Sequence, residues 1–111
     1  MPRQSIFDMK LSKVYPLLVA KAGKKGRSKA EVDEVTSWLT GYDMASADLD
    51  VTYADFFNNA PAYNPRAELI TGKICGIQVE TIEDPLLKKI RQLDKLVDEL
   101  AKGKPMEKVI R

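Results

Sequence analysis

Apolar positions recur along this chain at spacings that change from segment to segment. Leu11, Val14, Tyr15, Leu18 and Ala22 stand at i, i+3, i+4, i+7 and i+11, one face of an α-helix. Ser12 is the expected N-cap, and Pro16 falls at the end of the first turn, where its missing N–H bends the entry more than it breaks the helix. Leu17 and Val19 make the opposite side apolar too, so this helix is expected to be sandwiched near the centre of the core. In "GKKGRSKAEVDEVTSWLTGY", Ser28 with Glu31 three residues on forms a capping box that starts a second helix. Val32, Val35 and Leu39 supply its stripe beside Trp38, Asp33 and Glu34 face water, and Gly41 is the left-handed stop. The two helices make an αα-hairpin across a short glycine-containing loop, with Gly23 as the first helix's cap.

"TYADFFNNAP" repeats this grammar in one short helix. Thr52 caps, Tyr53, Phe56 and Phe57 face inward, and Pro61 prevents continuation. Asn64 with Pro65 at the first helical position predicts a further brief turn over Arg66–Thr71, ending at Gly72. From Ile74 the spacing becomes that of a strand, and it changes phase at Cys75-Gly76, with Gln78 and Glu80 on the wet side. This reads as a β-strand or a tight hairpin with a turn at the glycine. A lone strand is unstable, so residues 74–81 need a partner: their own preceding residues, the segment 49–52, or a second molecule.

"EDP" then opens the most regular element. Asp84 is the N-cap and Pro85 takes the first helical position with its φ already set. Leu86, Ile90, Leu93, Val97 and Leu100 follow at steps of four, three, four and three, widened by Leu87 and Leu96. Gly103 ends the helix. Two heptads are too few for an independent coiled coil, so the stripe is expected to pack on the helical hairpin, with Met106, Val109 and Ile110 as a last docked turn. The fold class is therefore α+β, mainly α: a helical hairpin, short helices, a small β element and a long C-terminal helix in one compact domain. Residues 1–111 are expected to form that domain, with residues 1–9 expected to be a loosely ordered N-terminal segment.

Composition narrows the chemistry. The chain has 111 residues, 44% of them hydrophobic, and no histidine. With one cysteine, Cys75, it can build neither a Ser-His-Asp or Cys-His triad nor a multi-thiolate metal site. What remains for catalysis is carboxylate or lysine chemistry. No apolar stretch is longer than "PLLVA", and no apolar block with a cleavage site follows Met1; together with the unpaired thiol this points to the cytoplasm and away from a membrane. Cys75 reads as a packing residue, since no histidine can activate it.

The net charge of +2 hides a segregation. Residues 1–29 hold eight Lys or Arg against one acid, residues 30–70 one Arg against eight acids, and residues 71–111 nine bases against seven acids. Opposite surfaces could attract across the fold or across a dimer, or the basic segment could bind an anion. The loop "GKKGRS" before a helix N-terminus is the place for such a site, with Lys21, Lys24, Lys25, Arg27, Ser28 and Lys29 as its residues. It is not a Walker A loop, since two residues separate its glycines and Arg27 stands where that motif has lysine. Asp43, Asp48, Asp50 and Asp55 could attract a cation, but their order matches no EF-hand and they read as caps and loop charges. No metal or cofactor site is expected. The candidate dimer interface consists of Ile74, Ile77 and Val79 on the strand and Leu93, Val97 and Leu100 on the helical stripe.

The segments "WLTGY" (38–42), "LITGKICG" (69–76), "IEDPL" (82–86) and "LDKLVDELAKGKPMEKVI" (93–110) resemble the bacterial domain-of-unknown-function family numbered 2200. The resemblance implies a small bacterial protein and carries no activity, ligand or catalytic residue. The expected function is thus a non-catalytic interaction or regulatory module acting as a homodimer or on another protein. The alternative is a nucleic-acid or phosphate-ligand binder using the basic first 29 residues, and an enzyme stands third.

Overall fold

The computed structural model describes residues 8–44, 46–74 and 76–110. Cys75 and most of the 1–9 segment lie outside these residues. Helix α1 spans Leu11–Gly23, α2 Lys29–Thr40, α3 Tyr53–Asn58, α4 Pro85–Ala101 and α5 Met106–Val109. Between α3 and α4 come a 3-10 helix, Pro65–Leu69, two short strands, β1 (Lys73–Ile74) and β2 (Ile77–Gln78), and a second 3-10 turn, Val79–Thr81. The architecture is α+β and mainly helical, as the periodicity requires.

Helix α4 occupies the centre. Helices α1, α2, α3 and α5, strand β1 and the turn Val79–Thr81 all pack against it. Ile90, Leu93, Leu96, Val97 and Leu100 are fully buried, joined in one apolar cluster with Leu11, Tyr15, Val32, Val35, Leu39, Phe56 and Phe57. Helix α1 does not hold the centre expected of it. Its Leu11, Tyr15, Leu18 and Ala22 face is buried, but Leu17 is 64% exposed and Val19 half-buried, so α1 lies on the outside of the bundle. Helices α2 and α4 pack on the buried side of α1, and Leu17 on its other side is left to solvent.

The ends of the elements follow from where backbone groups find partners. Helix α1 is capped at Lys10 without a side-chain bond, two residues before Ser12, because the Leu11 and Ser12 amides donate to the carbonyls of Val51 and Leu49 at 2.7 and 2.8 Å. An exposed helix start would need a side chain there; this one uses an extended segment instead. Met9 closes the same edge by accepting from the Tyr53 amide at 2.9 Å. Helix α2 has the full capping box at Ser28 and Glu31, and its last carbonyls, Leu39 and Thr40, accept from the Asn64 and Ala62 amides. Gly41 takes φ 82° directly against this loop.

The partner of the strand is its own preceding residue pair. Strands β1 and β2 pair antiparallel with Ile74 opposite Ile77 and Lys73 opposite Gln78, turning at Gly76 with φ 79°. The segment 49–52 belongs to α1, through an isolated bridge between Lys10 and Thr52. No described helix is long and apolar enough to cross a membrane.

Candidate functional site

The sequence-predicted anion ligands fall into two groups in the structure. Arg27 points inward from the α1–α2 loop: its Nε donates to the Leu100 carbonyl at 3.1 Å, one terminal nitrogen to the Lys104 carbonyl and the other to the Glu31 carboxylate. It thus closes the C-terminal end of α4, where carbonyls lack intrahelical donors and a cation is favoured by the dipole. Ser28 accepts from the Glu31 amide, and Glu31 reaches back to the Ser28 amide at 3.2 Å. That backbone bond, reinforced by Arg27, holds the Glu31 carboxyl below its ordinary pKa. The α2 N-terminus is therefore filled by the protein's own carboxylate. Lys29 pairs with Asp33 at 2.8 Å and Lys21 with Asp98 at 3.4 Å. Lys24 and Lys25 alone of the six stand exposed with no ion pair among the described residues.

The predicted dimer residues divide differently. Leu93, Val97, Leu100 and Val79 are fully buried in the chain's own core and Ile74 is nearly so, whereas Ile77 is 42% exposed. The acids Asp43, Asp48, Asp50 and Asp55 are not gathered. Asp50 pairs with Lys10 at 3.0 Å, Asp48 accepts from the Asp50 amide at 2.9 Å, and Asp55 sits in the first turn of α3. Among the described residues no three potential ligands are grouped to hold a metal ion.

Sequence reasoning passed over two other surfaces. The first is the outer stripe of α1, where Lys13, Pro16, Leu17, Ala20 and Lys24 are all exposed: cations at both ends and an apolar centre. Its signal was present in the second apolar side of "PLLVA". The second is a cleft of about 320 Å³ between the 63–68 segment and the first turns of α4, lined by Tyr63, Glu68, Ile82, Pro85, Lys88, Lys89 and Gln92 with Glu83. Gln92 forms its floor at 2% exposure, its amide oxygen accepting from the Tyr63 hydroxyl and its nitrogen donating to the Ala67 carbonyl at 3.2 Å. Burial, with the charge of Glu68, pushes the Tyr63 phenol upward. Gln92 was legible as an amide within the buried half of a helix, beside Leu93.

A charged seam joins α1 to α4. Asp98 meets Lys21, Lys102 at 3.1 Å and Lys95 at 4.0 Å, while Arg91 bonds Asp94 at 2.9 Å. Burial raises the Asp94 pKa against the pull of Arg91 and Lys21. Burial acts the same way on Asp98, but hydrogen bonding to Lys102 and the charge of Lys21 outweigh it, and its pKa is lowered. Nearby, the Tyr53 hydroxyl is buried with no hydrogen-bond partner among the described residues. A second cleft, about 290 Å³, lies at the end of α4, where the buried Glu99 pairs with Lys104 at 3.4 Å.

A family model described as "Uncharacterized protein conserved in bacteria" matches residues 5–111 of the chain. The crystal structure of the uncharacterized protein SP1917 is similar with a TM-score of 0.88 and 51% sequence identity, covering 98% of this chain and 93% of that one. No curated protein matches the chain.

Proposed function

The chain belongs to the bacterial DUF2200 family, and on that premise we propose that it is a cytoplasmic, non-catalytic interaction module whose docking surface is the outer face of α1 and whose partner is a second copy of the chain. The observation that carries this reading is Leu17, 64% exposed at the middle of a helix whose flanking Lys13 and Lys24 have no ion pair among the described residues. A large aliphatic side chain in water forgoes about 1.5 kcal/mol or more of burial, and the outer face of a surface helix ordinarily carries polar residues. The chain also carries exposed counter-charges. Glu34 and Asp55 in the acidic middle segment are exposed and make no ion pair among the described residues. A small apolar centre ringed by opposite charge suits a weak contact steered by electrostatics.

Light scattering across concentration and salt tests it. The expected result is a reversible dimer at low salt that Leu17→Asp abolishes, and that Lys13→Glu with Lys24→Glu abolishes until a Glu34→Lys, Asp55→Lys chain is mixed in. A monomer at every concentration at low salt overturns the reading.

Lys24 and Lys25 favour a second reading, contact with a nucleic-acid backbone. Its mark would be affinity for a mixed-sequence oligonucleotide that falls steeply with salt and is lost in the Lys24→Ala, Lys25→Ala double variant.

A further inference from the structure

The cleft beside Tyr63 lies apart from the α1 face and rests on different observations. Its walls differ in how their charges meet solvent. The Lys88 side chain is only 23% exposed, whereas its counter-ion Glu68, 3.5 Å away, is 77% exposed. The Lys89 ammonium lies 4.8 Å from the centre of the Tyr63 ring and has no ion pair among the described residues. Glu83 stands exposed at the rim. The Lys88 and Lys89 side chains are both half-buried while Glu68 and Glu83 are exposed, and less solvated charges act with more force.

The remaining walls are apolar or fixed. Ile82, Pro85 and the Tyr63 ring supply the apolar lining, and Tyr63 packs edge-to-face with Phe57 at 6.5 Å between ring centres. Gln92 locks the Tyr63 hydroxyl from below, so the ring cannot swing to fill the space. Asp84 already occupies the free amides of Leu86 and Leu87, so the end of α4 offers no anion site of its own and the lysines must supply the charge. The volume sits at the lower end of the range for small-molecule sites, roughly 300–1,000 Å³.

We infer that this cleft binds a small organic acid: a carboxylate on a compact, flat apolar body, held by Lys88 and Lys89 and seated on Tyr63, Ile82 and Pro85. On binding, the ligand carboxylate replaces Glu68 as the partner of Lys88, and Glu68 moves fully into solvent. Lys89 bridges the ligand and the ring it already covers.

The test is titration of the full chain with benzoate, cyclohexanecarboxylate, benzamide and inorganic phosphate, followed by amide chemical shifts and calorimetry. The expected result is saturable binding of the two carboxylates, with shifts centred on Tyr63, Lys88, Lys89 and Gln92, and none from benzamide or phosphate. Lys88→Gln and Lys89→Gln should each weaken benzoate about tenfold, the size of one charge-assisted hydrogen bond, and Lys88→Arg should restore part of the loss. Glu68→Gln should tighten binding by removing the competitor. Failure of both carboxylates to saturate, equal binding of benzamide, or unchanged affinity in both lysine variants with unchanged melting temperatures would overturn the inference.

Discussion

Arg27 stands in a basic run yet serves the interior of the fold. Its guanidinium ties the α2 capping box to the last carbonyls of α4, two elements far apart in sequence. Lysine cannot reproduce this, because one ammonium cannot present the planar fork that reaches Leu100, Lys104 and Glu31 together. Arg27→Ala should cost about 1–3 kcal/mol, since it leaves carbonyls at a helix end without a donor; Arg27→Lys should recover little. Lys24→Ala and Lys25→Ala, exposed and without ion pairs among the described residues, should stay within about 0.5 kcal/mol in the same urea unfolding series. If all three behave alike, the loop is only solvated surface. Gly41 makes a second residue-scale case. A Cβ there would meet the Ala62 Cβ at 2.7 Å and its amide nitrogen at 2.8 Å, at a φ of 82°. Gly41→Ala should therefore destabilise by about 2 kcal/mol or more, adding overlap to left-handed strain. The stop at Gly41 was legible from the chain, because a glycine after a periodic run has a local cause. The destination of Arg27 was not, because nothing within the loop marks a contact at residue 100.

At the scale of elements, α4 shows why periodicity gave its existence but not its rank. Its stripe, its N-cap at Asp84 and its first-position Pro85 were all readable, and each is as expected. The expectation of a central α1 failed because α4 carries many charges and α1 has apolar residues on both sides. The charges of α4 are compatible with its place since they are paired along its flanks: Arg91 with Asp94, Asp98 with three lysines, Glu99 with Lys104. Most of these pairs are local to α4 and its end; the one between helices, Lys21 with Asp98, is invisible in a one-dimensional pattern. The same holds for the cleft, whose Tyr63 and Lys89 are 26 positions apart and meet only because the 62–64 segment is drawn over the end of α2. The central rank of α4 predicts a large response. Leu96→Ala, at a fully buried position, should cost about 2–5 kcal/mol through transfer and cavity terms. Asp84→Ala should cost about 1 kcal/mol for its lost bonds to the Leu86 and Leu87 amides. Leu17→Ala on α1 should be nearly neutral, the reverse of what a central α1 would give; chemical unfolding of the three variants separates the two arrangements.

Over the whole molecule, the basic and acidic segments are partly joined inside the fold, and acid should unpick that joining in a defined order. Glu31, Glu80 and Asp98 have lowered pKa values: Glu31 through its backbone bond to Ser28, Glu80 through its own amide and that of Gly72, and Asp98 because Lys102 and Lys21 outweigh its burial. A carboxyl lowered in the folded state favours folding only when ionised. Its contribution is present above the unfolded value of about 4 and is lost as pH falls through the folded value. Asp94 acts oppositely: raised by burial, it favours folding below the unfolded value and loses that contribution as pH rises through the folded one. Three groups against one give a melting temperature that is level at neutral pH and declines below about pH 4. Asp98 is the member of this set that binds α4 to α1, so Asp98→Asn should lower the melting temperature at pH 7 and flatten the acid decline, the two curves drawing together toward pH 2 as the native carboxylate is protonated. Curves that coincide over the whole range would show that the Lys21–Asp98–Lys102 seam contributes nothing to stability.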